Sequence, residues 1–246
     1  DGLTNDVWQV GDVCVKLYGT GETSPLFPNA PVREWDALHR HAATGTAPAP
    51  RALLSFNDQA VLVYDWVPHN AQTVTADALG HALRGVHTPA AGGTIGSDPR
   101  SEGADILARC ADQGLWQFAP NMIHIETEAV HLHGDPAPGN VVSAPDGLCL
   151  IDWQAATVGT AWHDVAIALS PALRIVAGLA PFSEAERDTL IAAAGLDLSV
   201  WPTYAPAYHW RMACHCQWRL ERGFTAYQAG LVAEIRAALR TTSQAR

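Results

Sequence analysis

Hydrophobic residues repeat at every second position through the first strand-rich stretch and at helical spacing after Pro68. This switch of period restricts the possible folds more than any other feature of the 246-residue chain. Val7–Val10 and Val13–Tyr18 flank Gly11-Asp12, a two-residue hairpin signal, and alternation puts Val13, Val15 and Leu17 opposite Cys14, Lys16 and Tyr18. Residues 51–56 and 60–66 form a second pair turning at Asn57-Asp58. Between the pairs, Asn29 to Pro31 opens a helix over 32–38, with proline tolerated in its first turn.

Beyond Pro68, Thr75 can cap a helix over 76–87, where Leu79, Ala82, Leu83 and Val86 form one stripe. A loop over 92–100 and a weaker helix over 104–111 follow. A β-rich island comes next at 130–133, 141–143 and 148–153, its last two strands joined by Pro145-Asp146-Gly147. From Ala161 onward helices dominate, with capping boxes expected at Ser183…Glu186 and Thr225…Gln228. The pattern predicts an α+β protein of two lobes, a small sheet with one helix over residues 1–67 and a mainly helical lobe over 68–246.

A formal net charge of −10 argues against a nucleic-acid partner. No apolar run is long enough to span a bilayer, and the first residues lack the basic and apolar regions of a signal peptide. Five scattered cysteines form no disulfide framework, so a reduced, cytoplasmic protein, monomeric or weakly dimeric, is expected. Of the 15 basic residues only Lys16 is lysine, which marks it as a place where a compact ammonium is needed and a planar guanidinium does not fit.

His133-Gly134-Asp135-Pro136-Ala137-Pro138-Gly139-Asn140 is followed, after a predicted hairpin, by Ile151-Asp152-Trp153. An Asp and an Asn five apart on a tight loop can point into one cavity. There the Asp accepts a hydroxyl proton while the Asn oxygen and a second Asp supply the oxygen ligands a hard cation wants.

These residues resemble the aminoglycoside phosphotransferase and choline kinase family, which has the protein-kinase-like fold. The resemblance implies that Asp135 is the catalytic base and that Asn140 and Asp152 hold Mg²⁺. It matches Lys16 to the strand lysine that meets the ATP or GTP phosphates, and Glu34 to that lysine's ion-pair partner. Tyr64-Asp65-Trp66-Val67 resembles the hinge that meets the adenine, which makes Tyr64 and Trp66 nucleotide-binding candidates. Asn5 joins them from the segment where a nucleotide-covering loop belongs, around Gly2 to Asp6, although no G-x-G-x-x-G stands there. Asp164 matches an Asp that braces the catalytic loop. Gly134 occupies the position of the protein-kinase Arg, Pro136-Ala137 replaces the family's frequent Leu-His, and no Ala-Pro-Glu follows Asp152. Those departures favour a small-molecule kinase acting on a hydroxyl acceptor, such as an aminoglycoside, amino alcohol or sugar, over a protein kinase.

Two rivals stand beside this reading: a zinc hydrolase using His131, His133 and Asp135, and a nucleotide-binding pseudokinase. Cys214-His215-Cys216 looks like a metal cluster, but positions two apart on a helix diverge, so buried structural cysteines are expected. Residues 161–246 carry seven acids against eight arginines. Arg211, His215, Arg219 and Arg222 fall near one helical face with Trp210 and Trp218, either as ion pairs to the acidic segment 98–152 or as a wall for an acceptor with rings or an anionic group.

Overall fold

The computed structural model describes residues 4–68, 73–145 and 147–244. Strands β1 (Asn5–Val10), β2 (Val13–Tyr18), β3 (Pro50–Phe56) and β4 (Gln59–Asp65) form an antiparallel sheet in the order β1-β2-β4-β3. Both tight turns have the backbone that their residues favour. Gly11 sits at φ +62, and Asn57 and Asp58 are both left-handed (φ +49 and +63), the primed-turn geometry that matches strand twist. Helix α1 (Pro31–His41) packs against β3 and β4, with proline in its first turn as expected.

Helix α2 (Ala76–Val86) begins at the expected cap, where the Thr75 side chain accepts from Ala78 N. The chain then departs from the sequence reading. Strand β5 (Pro89–Ser97) occupies most of the span expected as a loop. Its pairing partner, β6 (Ile125–Leu132), lies far along the chain, and its own mostly exposed, glycine-rich residues show no alternation. Helix α3 (Pro99–Leu107) starts earlier than expected because Asp98 caps it, accepting from Arg100 N and Ser101 N, with Pro99 in the first turn. Strands β7 (Val141–Ala144) and β8 (Gly147–Leu150) form the expected hairpin; its turn residue Asp146 lies outside the described residues. The expected strand through 153 stops at Leu150. A short strand with no signal in the sequence, β9 (Thr157–Gly159), completes the sheet β5-β6-β9.

Helices α4 (Ala161–Ala168), α5 (Pro171–Val176), α6 (Glu184–Ala193), α7 (Trp201–Glu221) and α8 (Tyr227–Gln244) make up the rest. Both arms of the Ser183/Glu186 capping box form. At Thr225 the tie is instead a backbone bond from Gln228 N to Thr225 O (3.1 Å). Two apolar cores result. One runs from β2, β4 and α1 across to α2, β8, α4 and α6, so the sheet and the helices share it; the other lies among α3, α5, α7 and α8. Among the described residues no helix is long and apolar enough to cross a membrane.

Residues 19–29, between β2 and α1, form a loop whose ends are pinched together. Asn5 Oδ1 accepts from Gly19 N (2.9 Å) and Asn29 Nδ2 (2.9 Å), and Asn29 Nδ2 also donates to Gly19 O (3.2 Å). Such a closed surface loop is an Ω-loop, and its tip rests on α7.

Candidate active site

Lys16 lies on the face of β2 that the structure buries, between Cys14 and Tyr18, with α1 beneath it. Its ammonium is 2.6 Å from Glu34 Oε2 of α1 and is also bonded to the Asp152 carboxylate. Burial disfavours the ammonium, but the two carboxylates outweigh it and hold the lysine above its ordinary range. Glu34 is buried and fully engaged. It accepts from the Tyr18 hydroxyl, and Trp153 N donates to its Oε1 (3.2 Å). The only lysine of the chain thus ties the four-stranded sheet to the segment after β8.

The loop after β6 is held by one buried carboxylate. Asp164, in the first turn of α4, accepts from His133 N and Gly134 N (2.8 Å each), and lies 3.0 Å from His87 Nε2. Burial works to raise its pKa, but the hydrogen bond and charge of His87 help bring it below the usual range. Gly134 has φ +85, and a Cβ there would lie 2.1 Å from Ala155 O, so no side chain fits where protein kinases carry Arg. Asp135 N donates to His133 Nδ1 (3.2 Å), so His133 Nε2 carries the proton and donates to Ile151 O (3.0 Å).

Asp135, Asn140 and Asp152 are linked around this loop. Asn140 Nδ2 donates to Asp135 O (2.9 Å), leaving the amide oxygen as the atom open to a ligand, and Ile151 N donates to Asn140 O (2.9 Å). Asp152 is left-handed at φ +65 and ψ +57, an unusual backbone for a residue with a side chain, and its carboxylate is part-exposed. Burial, then the charge of Asp152, pushes Asp135 up to about 8, and Asp135 Oδ1 is a buried oxygen with no hydrogen-bond partner.

Other expected site residues are placed differently. Asn5 is buried, and both ends of its amide are consumed by Asn29, Gly19 and Gln154 Oε1 (2.6 Å), so it pins the Ω-loop rather than a nucleotide. The Tyr64 side chain is buried beside Cys14, with its phenol pushed up by burial, and Trp66 N donates to Asp12 O (2.8 Å). Neither the Tyr64 ring nor the Trp66 amide is therefore open to a base. The zinc alternative fails because both nitrogens of His133 are used inside the fold. Among the described residues no three His, Cys, Asp or Glu side chains are placed to hold a metal. Cys214 and Cys216 are buried in the second core.

Arg211 and Arg222 are ion-paired, the first to Glu102 of the acidic segment (2.5 Å) and the second to Glu22 of the Ω-loop (2.8 Å). Sequence reasoning misses His163, which accepts from Arg211 Nη1 (2.9 Å) at Nδ1 and is hydrogen-bonded to the Gly134 carbonyl. Its position directly before Asp164 in a helix first turn is the one sign the sequence carries. A cavity of about 400 Å³ lies between α3, the β5-β6-β9 sheet and the Ω-loop. Its lining includes Leu26, Glu102, Asp105 and His163 but none of Asp135, Asn140 or Asp152.

Solved structures share this architecture at low sequence identity. Choline kinase LicA from Streptococcus pneumoniae superposes with a TM-score of 0.67 at 14% identity, over 99% of this chain and 92% of that one. A putative fructosamine-3-kinase from Thermobifida fusca YX-ER1 gives 0.58 at 19% identity, over 96% and 95%. A choline/ethanolamine kinase family protein from Mesorhizobium loti gives 0.61 at 16%, over 99% and 85%. No curated protein matches the sequence. The model of the phosphotransferase enzyme family, APH, matches residues 1–210, and the chain belongs to that family.

Proposed function

We propose that this phosphotransferase moves the γ-phosphoryl group of ATP or GTP to a hydroxyl of a small molecule, with Asp135 as the base. The observation that carries this is the meeting of Lys16, Glu34 and Asp152 from distant segments beside the Asp135–Asn140 loop. Burial and then the charge of Asp152 raise the Asp135 carboxyl above the ordinary carboxylate range, which strengthens it as a base. Its unpartnered Oδ1 is the atom that would receive the proton. Asp164 and Gly134 fix the loop so that this oxygen is presented without reorganisation.

The Asp152 carboxylate and the Asn140 amide oxygen suit a hard cation, and these two residues would hold Mg²⁺. When bound, Mg²⁺ supplies charge neutralisation for the transferring phosphates. Lys16 would bind the nucleotide phosphates while Glu34 positions its ammonium. We place the working boundary between lobes at residues 67 and 68, and Tyr64 to Val67 as the stretch facing the base through backbone groups. The chain is assigned to the cytoplasm, as a monomer or weak dimer without nucleic-acid or membrane partners.

A coupled ADP-release screen against aminoglycosides, amino alcohols, sugars and hydroxy acids tests the reading. Turnover should need Mg²⁺ and one acceptor class. Nucleotide binding without turnover on any acceptor would favour a pseudokinase instead.

A further inference from the structure

The peptide that links Gly134 to Asp135 lies beyond the amides that Asp164 holds, and it comes immediately before the base. Two imidazoles grip it from opposite sides. Its N–H, on Asp135, donates to His133 Nδ1 (3.2 Å), and its carbonyl, on Gly134, accepts from His163. The peptide before it is held at Gly134 N, which donates to Asp164 Oδ1 (2.8 Å). His163 and Asp164, adjacent in the first turn of α4, therefore take the peptides on either side of the Gly134 Cα. A glycine at φ +85 needs that support. Without a Cβ its backbone turns freely, and any rotation at Gly134 swings the Asp135 carboxylate.

The polarity of His163 is set from outside the loop. Arg211 Nη1 can only donate, so His163 Nδ1, 2.9 Å away, accepts, and the ring proton sits on Nε2, where it meets the Gly134 carbonyl. Arg211 is buried, and it is fixed by Glu102 Oε2 (2.5 Å), whose Oε1 accepts from the Ser97 hydroxyl (3.2 Å). Strand β5 and helices α3, α7 and α4 thus converge on one carbonyl. Burial, then the charge of Arg211, hold His163 down to about 4 against the pull of Glu102 and Asp164, so the ring is neutral. A neutral ring is what the clamp requires, since a proton on Nδ1 would face the guanidinium. An apolar side chain would fill the same volume without burying a guanidinium and an imidazole, whose desolvation is costly.

We infer that His163, oriented by Arg211 and Glu102, is a positioning residue for phosphoryl transfer. Together with His133 it fixes the Gly134–Asp135 peptide, and with it the angle at which the Asp135 carboxylate meets the acceptor hydroxyl. It acts through the backbone and not by contact with the reacting atoms. The role rests on Asp135 being the base and adds what aims that base.

Phosphate release from Mg²⁺–ATP by the full chain, with water as the acceptor, tests the role in steady state. His163→Leu should lower kcat by about 10–100-fold, the cost of a misaimed group, while the KM for ATP stays within about twofold. His163→Gln keeps an amide donor for the carbonyl and an oxygen for Arg211, so it should recover much of the loss. An unchanged kcat in His163→Leu, a loss matched by a rise in KM, or a glutamine variant no better than the leucine one overturns the assignment. Asp135→Asn is the control: if it releases phosphate as the wild type does, the reading of the base fails, and the positioning role with it. Imidazole nitrogen NMR of the wild-type chain gives a readout independent of turnover and of how the variants fold. His163 should carry its proton on Nε2, and a proton on Nδ1 overturns the assignment whether or not Asp135 is the base.

Discussion

The Asp135–Asn140 loop and the Ω-loop side of α7 bury their polar groups differently, although each keeps unpartnered atoms, Asp135 Oδ1 and His87 Nδ1 on one side and the α7 nitrogens on the other. Around the loop, one carboxylate, Asp164, takes the His133 and Gly134 amides and pairs with His87, and His133 spends both ring nitrogens inside the fold. On α7, the nitrogens His215 Nε2, Trp218 Nε1 and Arg219 Nε are buried without partners behind an Ω-loop that is fastened by Ser24 and Glu22, while the Arg219 side chain also hydrogen-bonds Tyr227. The backbone of the loop around Asp135 is thus held in place largely by a single carboxylate, whereas the α7 side relies on ring packing. Preorganised charge suits a step common to every turnover.

Acid should have the largest effect, and on both regions. His163 and His215, which touch α7 residues Arg211 and Arg219 or lie on α7 itself, have folded pKa values of about 4 and about 3 against an ordinary 6.5. The unfolded chain therefore gains their protons first. Their stabilising contribution is complete above pH 6.5 and fades as pH falls toward 4. Each histidine then loses about 1.4 kcal/mol for every pH unit over which only the unfolded chain carries its proton. Asp164 is depressed instead, so its contribution lasts until pH falls below the ordinary carboxylate range. Burial holds His133 of the loop down as well, and His163 joins Arg211 of α7 to the Gly134 carbonyl. Amide hydrogen exchange between pH 7 and 4 should therefore show α7 and residues 133–140 losing protection together, and loss confined to α7 would mean that His163 does not couple them.

Substitution at the reacting group comes next. Asp135→Asn should lower kcat by roughly 10²–10⁴-fold while nucleotide affinity is kept. Near-normal turnover in steady-state assays would remove Asp135 from its role. Asp164→Ala should cost about 3 kcal/mol or more, because it leaves two buried amides and His87 without their acceptor. Urea unfolding measures this, and a change below about 1 kcal/mol would mean that the loop is held by other contacts. Lys16→Arg, which keeps the charge but not the shape, should reduce kcat/KM by about 10–100-fold, the worth of one charge-assisted contact. The smallest effect is expected on the α7 side. With Arg211 and Arg222 already paired to carboxylates, the acceptor KM should move by less than about twofold between about 0.05 and 0.3 M salt. A steep rise would point to a polycationic acceptor on a carboxylate cluster.

The chemistry-bearing residues are legible in the sequence because they sit in short, local patterns. Asp135 and Asn140 share one tight loop, Asp152 follows one hairpin, and Lys16 stands out as the sole lysine of its chain. Both hairpin turns and the Thr75 and Ser183 caps are legible for the same reason: neighbouring residues specify them. Strands β5 and β9 are not, since each exists only by pairing with β6, and their own residues carry no alternation. Asn5 reads as a nucleotide contact because an amide looks the same in a sequence whether it faces a ligand or fastens a loop. Only its bonds to Gly19, Asn29 and Gln154 settle which.

Residue order alone dictates most of the succession of sheet and helices and the identity of the candidate site groups, because propensity, turn chemistry and motif spacing act over a few residues. Which charges are spent and which are free is a property of the folded chain. Arg211, Arg219 and Arg222 lie along α7 and its C-terminal end and look alike in sequence. Glu102 and Glu22, 109 and 200 residues away, neutralise two of them, while the third hydrogen-bonds the Tyr227 side chain. An ion pair between buried or docked groups depends on distance in space, which the fold fixes and the order of residues does not.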